Sequence, residues 1–560
     1  KMVLSQDLKS QLKKLFEEKK FSEVEILVES SIKDKDKSSG ILNLLGASKV
    51  NKNKKDKDNL ISGLRDFEKG YIKEKETKNG LICLQNFIKT SVDLYDLDNS
   101  DLILEKVFKN FDEAINFWKY DKKLIIEMIR VFRRLNDVDN IVVLYEDILK
   151  KKDFTVGNLC SYIYFKNFQR DWSQKKFYEY GKFLDSQTAA NEVEQSQKNI
   201  KSKKEKIKIG FLSADLRGEH SITYFLKGIL EDYDKENFSI VLISNQEADD
   251  KTFEEFSKKV DESINISNFN DIEALNSLKD LNIDILIDLM GVTSEQRIKL
   301  LNLRIAPIQI LWLGYCNTSG IRNMDYIIAD KNLIYEKEKE FYSEKILYLP
   351  EIWNAHSGLT IKRKEKIFPH IKNGFITFGS FNNFNKINEQ VVKTWSNIIK
   401  KIKNSKLILK TSTRIQTKKR LYELFKKNGV DKSIIFLDHE DTYNDHLELY
   451  NNIDIALDTF PYNGVTTSFE AIWMSVPVLT MKGFNFKSRC GESINKNLNL
   501  EELIAENEDD YISKAKNLAE DKILLSKISN KIYSSCLSSP LFDIKKFSNN
   551  FFKLLKDVYN

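Results

Sequence analysis

Up to about Gln195 the apolar residues recur at intervals of three and four, glycine is sparse and proline is absent, a pattern that predicts helices throughout. From "KIKIGFLSAD" onward the texture changes. Short β-rich apolar runs now alternate with helical patterns: "IKIGFLSAD", "FSIVLIS", "IDILIDLMG", "PIQILWLGY", "YIIAD", then "GFITFGSFN", "SKLILKT", "SIIFLD", "IDIALDT" and "VPVLTM". Fully apolar strands separated by helices predict parallel sheets covered on both faces. The strand series restarts at "FPHIKNGFITFG", so the α/β half divides near Ile367 to Lys372. The expected domains are a helical region over 1–197, an α/β lobe over 206–368 and a second over 372–560, with the lysine-rich "KNIKSKKEK", Lys198 to Lys206, as linker. Two doubly wound units in tandem imply a cleft, and ligands of such sheets sit beyond the carboxyl ends of the strands.

Within the helical region, "ILNLLGASKV" with "GLRDFEKGYIKEKE", "GLICLQNFIKT" with "FDEAINFWKYDKK", and "MIRVFRRLNDVDNIVVLYEDILKKKD" each pair two helices. The spacing is that of helix-pair repeats and looks like degenerate tetratricopeptide repeats. A plain helical bundle is the other reading, since no unit carries the full repeat signature. The run "NKNKKDKDN", Asn51 to Asn59, is expected to be a solvated loop and not a binding patch.

Length and charge narrow the class. A chain of 560 residues is too long for a single core and points to about three or four domains. Lys+Arg 89 against Asp+Glu 83 leaves +6, a mixed surface that makes no case for nucleic acid. The cysteines Cys83, Cys160, Cys316, Cys490 and Cys536 lack CxxC spacing, which argues against a disulfide framework or a zinc site and for a reducing cytoplasm. "KMVLSQDLKSQLKKLF" reads as an amphipathic helix, and no run approaches the roughly 18 apolar residues of a membrane span.

Candidate chemistry concentrates in "LDTFPYNGVTTSFEAIWMSVPVLTM", Leu457 to Met481: a strand, a glycine turn, two threonines, a short helix and another strand. The first amides of a helix lack internal partners and carry partial positive charge, so this mouth can seat an anion such as phosphate. Thr466 or Thr467 can equally be an ordinary N-cap.

Four separated segments, "SADLRGEHSITYF", "RIAPIQILWLGYCNTSGIRNMDYIIAD", "FGSFNNFNKINEQVVKTWSNIIKKIKNSKLIL" and "DIALDTFPYNGVTTSFEAIWMSVPVLTMKG", resemble, in the same order, the catalytic region of the protein O-GlcNAc transferase and SPINDLY family and its bacterial relatives. The resemblance runs from about Lys206 to Asn560, and the helical half corresponds in position to that family's tetratricopeptide arm. It implies a GT-B fold of two Rossmann-like lobes, inverting sugar transfer, a nucleoside diphosphate sugar bound mainly by the C-terminal lobe, protein or peptide acceptors delivered by the arm, and no required metal or other cofactor.

A departing nucleoside diphosphate must be neutralised by a metal or by fixed donors. No Asp-x-Asp stands in a metal-site context, which favours fixed donors. Gly464, Thr466 and Thr467 are expected to supply N–H and hydroxyl donors, and Lys386 matches the family's diphosphate-binding lysine. Glu470, placed in the first turn of its helix, is expected to accept from the ribose hydroxyls, with interaction with the helix dipole as its plainer role. By resemblance, His446 contacts the base and Asn383 belongs to the donor site. His220 matches the cleft histidine proposed to assist the acceptor, and a near-neutral pKa suits a general base. Asp215 orients His220 or caps the following helix. In "LGYCNTSG", Gly314, Thr318 and Gly320 would let backbone amides approach a sugar or acceptor. His356, His370 and His439 match nothing.

The chain departs from the family at Cys316, Val292 and Val465, which leaves the donor open. UDP-GlcNAc is the first expectation. GDP-fucose is the alternative, since Asn383 and the wording of "FGSFNN" and "DTFPY" lean toward the SPINDLY branch. An N-glucosyltransferase, an epimerase or hydrolase on the same fold, and a non-catalytic repeat scaffold are the remaining readings.

Overall fold

A computed structural model describes residues 5–98, 101–119, 121–188, 206–218, 220–247, 251–293, 295–410, 415–438 and 440–560. The proposed linker, apart from Lys206, and His439 lie outside the described residues.

The N-terminal unit runs to Phe154. Its helices include Ser39–Lys52, Lys57–Lys73, Lys78–Asp98, Lys122–Arg134 and Val138–Lys150. Each packs on its sequence neighbour, and Lys78–Asp98 also packs on Ser39–Lys52 and on Lys122–Arg134, the nearest-neighbour pattern of stacked helix pairs. Phe67, Phe87, Tyr95, Val107 and Met128 fill one continuous core. The polar run at 51–59 is shorter as a loop than expected. One helix extends to Lys52, and Asp56 starts the next by accepting from the Asn59 amide at 2.8 Å.

From Thr155 the chain, apart from residues 414–420, belongs to a second unit. The helical region therefore ends earlier, as a packing unit, than the expected boundary at 197. Helices Val156–Lys166 and Gln174–Thr188 are grouped with the sheets. The reason is a buried chain of amides. Asn485 donates to Gln174 (2.9 Å), Gln174 to Asn317 (2.9 Å) and Asn317 to Asn167 (3.0 Å), tying these helices to loops of both lobes.

The first sheet holds β1 (Ile207–Ser213), β2 (Phe238–Ser244), β3 (Glu262–Asn265), β4 (Ile285–Asp288), β5 (Ile308–Leu311), β6 (Tyr326–Asp330) and β7 (Lys345–Leu349) in the order β3-β2-β1-β4-β5-β6-β7. The second holds β8 (Thr377–Ser380), β9 (Lys406–Lys410), β10 (Ile434–Leu437), β11 (Ile455–Leu457), β12 (Val478–Met481) and β13 (Ile504–Ala505) in the order β10-β9-β8-β11-β12-β13. All pairings are parallel, for example Ile209 with Ile240 and Ile285, and Ile455 with Phe378. Each sheet reverses direction between its first and fourth strands, β1/β4 and β8/β11, where doubly wound sheets place their ligands. The last helix, Ile544–Tyr559, returns to the first lobe: Phe551 meets Trp312 at 4.6 Å and Phe552 meets Phe238 at 4.9 Å between ring centroids. The expected second lobe over 372–560 thus ends in a helix that covers the other sheet.

Candidate active site

Loops leaving the carboxyl ends of β1, β4, β8 and β11 converge on a cavity of about 410 Å³. Its walls include Asp215, Arg217, His220, Gly314, Asn383, Lys386, Thr466 and Thr467. A neighbouring pocket of about 240 Å³ is walled by Tyr224, Lys410, Glu440, Tyr443, His446 and Glu470, and shares Ser221 and Thr466 with the first.

The glycine turn is shaped by a buried carboxylate. Asp458, following β11, accepts from the Gly464 amide (2.7 Å), the Thr459 amide (2.8 Å) and the Thr480 hydroxyl (2.7 Å). Burial pushes its pKa up to about 6, against the pull of these donors and of Lys386. The Gly464 N–H is therefore spent within the turn, contrary to the expectation that it faces a diphosphate. Neither threonine caps the helix Thr466–Trp473. Val465 occupies the cap position and makes no side-chain bond, so the amides of Thr466 and Thr467, residues that line the cavity, have no intrahelical acceptor. The Thr467 hydroxyl donates to Asn382 Oδ1 at 3.0 Å.

Lys386 lies on a short 3-10 turn after β8. Its ammonium donates to the Asn463 carbonyl at 2.7 Å and stands 4.5 Å from the centre of the Tyr462 ring. Burial lowers its pKa, and the negative charge of Asp458 opposes the shift. Asn383 is exposed and caps this turn by accepting from the Asn385 amide at 2.9 Å, while the buried side chain at this corner is its neighbour Asn382.

Glu470 is the fifth residue of its helix and lies beyond the first turn, so the dipole role expected for it does not apply. Its carboxylate accepts from Tyr443 (2.9 Å) and Tyr450 (2.9 Å) and faces His446 Nε2 (3.1 Å). Lys410 addresses Nδ1 of the same imidazole, which leaves the ring proton on Nε2, toward Glu470. Residues expected to meet ribose and base are thus joined in one network.

The sugar-side expectations divide. Gly314 lines the cavity, and a Cβ there would stand 1.8 Å from the Leu289 carbonyl oxygen, so the loop passes only as glycine. Thr318 is turned away, donating to buried Glu344 at 2.7 Å. Gly320 serves a helix contact in place of a ligand: its φ is +76° and a Cβ would lie 2.2 Å from Gly181 Cα. His356 is packed among Tyr224, Phe225, Phe469 and Phe542, where burial lowers its pKa to about 4. His370 pairs with buried Asp454 at 2.7 Å.

Sequence reasoning missed Tyr443, Tyr450, Asp458, Asn382, Tyr164 and Phe168. The first two were within reach, since they flank His446 at three and four residues on one helical face. Phe168 carried no local signal. It stacks on Tyr462 at 5.1 Å and 16° from the turn after the helix Val156–Lys166, nearly 300 residues upstream, and with Tyr164 it forms part of the cavity wall.

Comparison with known proteins accords with this geometry. The model of glycosyl transferase family 41 matches residues 186–377 and 359–551. The chain belongs to glycosyl transferase family 41. Among curated members, a probable UDP-N-acetylglucosamine–peptide N-acetylglucosaminyltransferase SPINDLY of Solanum lycopersicum is 30% identical over 402 residues, covering 70% of this chain and 41% of the relative. A protein of the same name from Eustoma exaltatum subsp. russellianum is 33% identical over 361 residues, covering 62% and 38%. The chain therefore spans well under half the length of these relatives. A solved mutant O-GlcNAc transferase of Thermobaculum terrenum superposes with a TM-score of 0.78 over 93% of this chain and 98% of that one, at 21% identity, a likeness of fold. The chain's two parallel sheets, preceded by its helical region, form the GT-B arrangement. Among the described residues no helix is long and apolar enough to cross a membrane.

Proposed function

We propose that this family 41 chain is an inverting protein O-glycosyltransferase that moves a sugar from a nucleoside diphosphate donor to Ser or Thr hydroxyls of proteins. UDP-GlcNAc is the donor favoured, because the relatives carry that substrate in their names. The observation that carries the reading is the meeting of one ammonium, Lys386, with Thr466 and Thr467 of an uncapped helix mouth in the lining of a single cavity. Fixed donors aimed where a diphosphate accumulates charge lower the barrier to its departure without reorganisation, and one such donor is worth about 10²–10³ in rate. The network of Glu470, His446 and Tyr443 in the adjoining pocket then holds the nucleoside. His220 and Asp215 flank the acceptor side. The helical unit brings in protein acceptors, no metal takes part, and five buried free thiols suit a reducing cytoplasm.

The test is incubation with a panel of UDP and GDP sugars and a protein lysate, with and without EDTA, read by intact-protein mass. The expected result is addition of N-acetylhexosamine that survives chelation. Addition of deoxyhexose from GDP-fucose alone would move the donor to the alternative. No mass gain from any donor would sink the enzymatic reading, and loss in EDTA restored by Mg²⁺ or Mn²⁺ would sink the metal-free one.

A further inference from the structure

The loop between β1 and the helix Ser221–Glu231 carries the acceptor-side groups, and its bonds assign their roles. His220 is the N-cap of that helix: Nδ1 accepts from the Ile222 amide at 3.3 Å. A ring nitrogen that accepts from an amide bears no proton, so the neutral imidazole holds its proton on Nε2. Burial lowers the pKa of His220, with the negative charge of Asp215 opposing and the positive charge of Arg217 adding, so the neutral ring is favoured. Nε2 lies 3.5 Å from Asp215 Oδ1. Nδ1, the unprotonated nitrogen, is therefore committed to the helix while Nε2 faces Asp215, and taking up a substrate proton on Nδ1 would break the cap.

Asp215 has the opposite character. It lines the cavity, with its side chain 21% exposed. Its amide is held by the Ser213 hydroxyl at 2.9 Å, which fixes the backbone at the end of β1. Arg217, at 3.0 Å, and His220 both address Oδ1, and among the described residues none bonds Oδ2. A carboxylate steadied on one oxygen and open on the other, set in a cavity wall, has the form of a general base. Asp215 belongs to the first lobe and Lys386 with Thr466 and Thr467 to the second, and one cavity takes both. Inversion needs attack and departure on opposite faces of the anomeric carbon.

We propose that Asp215 is the general base of the transfer and that His220 is a positioning residue that orients it; this rests on the glycosyltransferase reading above. The acceptor oxygen forms its bond to the anomeric carbon while its proton passes to Asp215 Oδ2. The bond from that carbon to the diphosphate oxygen breaks, and the electron pair leaves with the diphosphate toward Lys386.

The experiment uses the full chain with the donor identified by the panel, and UDP and GDP as binding probes. Asp215→Asn is expected to lower transfer by about 10²–10³ while nucleotide affinity stays within about threefold. Asp215→Ala, similarly slow, should recover at least about tenfold in formate, which supplies a small carboxylate to the vacated space. His220→Asn keeps a good capping residue and an N–H toward Asp215, and should fall only about tenfold. Transfer by Asp215→Asn above about a tenth of wild type overturns the assignment. So does a loss in His220→Asn as deep as that in Asp215→Asn, with Asp215→Ala indifferent to formate. A wild-type chain that moves no sugar from any donor is a different result: it removes the glycosyltransferase reading, and the base with it.

Discussion

Lys386 reaches across from β8 to the Asn463 carbonyl, 2.7 Å away, joining the two loops that leave the switch point of the second sheet. Through this bond the ammonium of Lys386 is held by the turn that also forms the helix mouth. Lys386→Ala is expected to lower kcat by about 10² or more, with thermal stability and nucleotide affinity changing far less. Turnover within a few-fold of wild type would remove Lys386 from the mechanism. Because burial lowers its pKa below the usual lysine value, the ammonium is lost earlier than usual as pH rises, and kcat should decline on the alkaline side. Lys386→Arg, which stays charged, should run slower but without that decline.

Gly320 and Gly374 both have positive φ, +76° and +73°, yet only the first meets a neighbour. Gly320→Ala adds a Cβ 2.2 Å from Gly181 Cα and is expected to cost more than about 2 kcal/mol. At Gly374 nothing lies within 4 Å, so Gly374→Ala should cost only about 1 kcal/mol of backbone strain. Denaturant unfolding of the two variants measures this, and equal losses would contradict the close approach.

Asp288, at the end of β4, accepts from the Met290 and Gly291 amides, yet burial pushes its pKa up to about 7. The unfolded carboxyl titrates near 4, so the native state binds the proton more tightly between about pH 4 and 7. Its contribution to stability is present below about pH 4 and is lost as pH rises to about 7. Asp288→Asn cannot ionise. The melting temperature of wild type relative to this variant should therefore fall between pH 5 and 8, and a constant difference would refute the shift.

Trimming residues before Asp101 leaves every wall of the cavity in place, since Tyr164 is the earliest residue lining it. Nucleotide binding should persist while transfer to whole proteins drops steeply, as expected if stacked helix pairs present the acceptor. Titration of UDP and GDP beside a transfer assay checks this. Parallel loss of both, or transfer that survives intact, would sink the delivery role.

Periodicity alone determined the order of helices and strands and the two-lobed α/β half, because central parallel strands are covered on both faces and read as unbroken apolar runs. The three strands it did not mark, β3, β7 and β13, all sit at sheet edges, where one side has no neighbour to demand such a run. The family resemblance singled out Lys386, His446, Thr466, Thr467 and Glu470, and the structure places them around two adjoining pockets that share Thr466. What the sequence did not contain was the direction of the bonds. Only the folded chain decided that Gly464 serves Asp458, Thr318 serves Glu344, Gly320 serves a helix and His220 caps one, because every buried donor or acceptor must find a partner and that partner is chosen by packing across elements far apart in sequence. For the same reason Phe168 joined the cavity unannounced: stacking on Tyr462 depends on where the turn after the helix Val156–Lys166 lands and not on any neighbour in the chain.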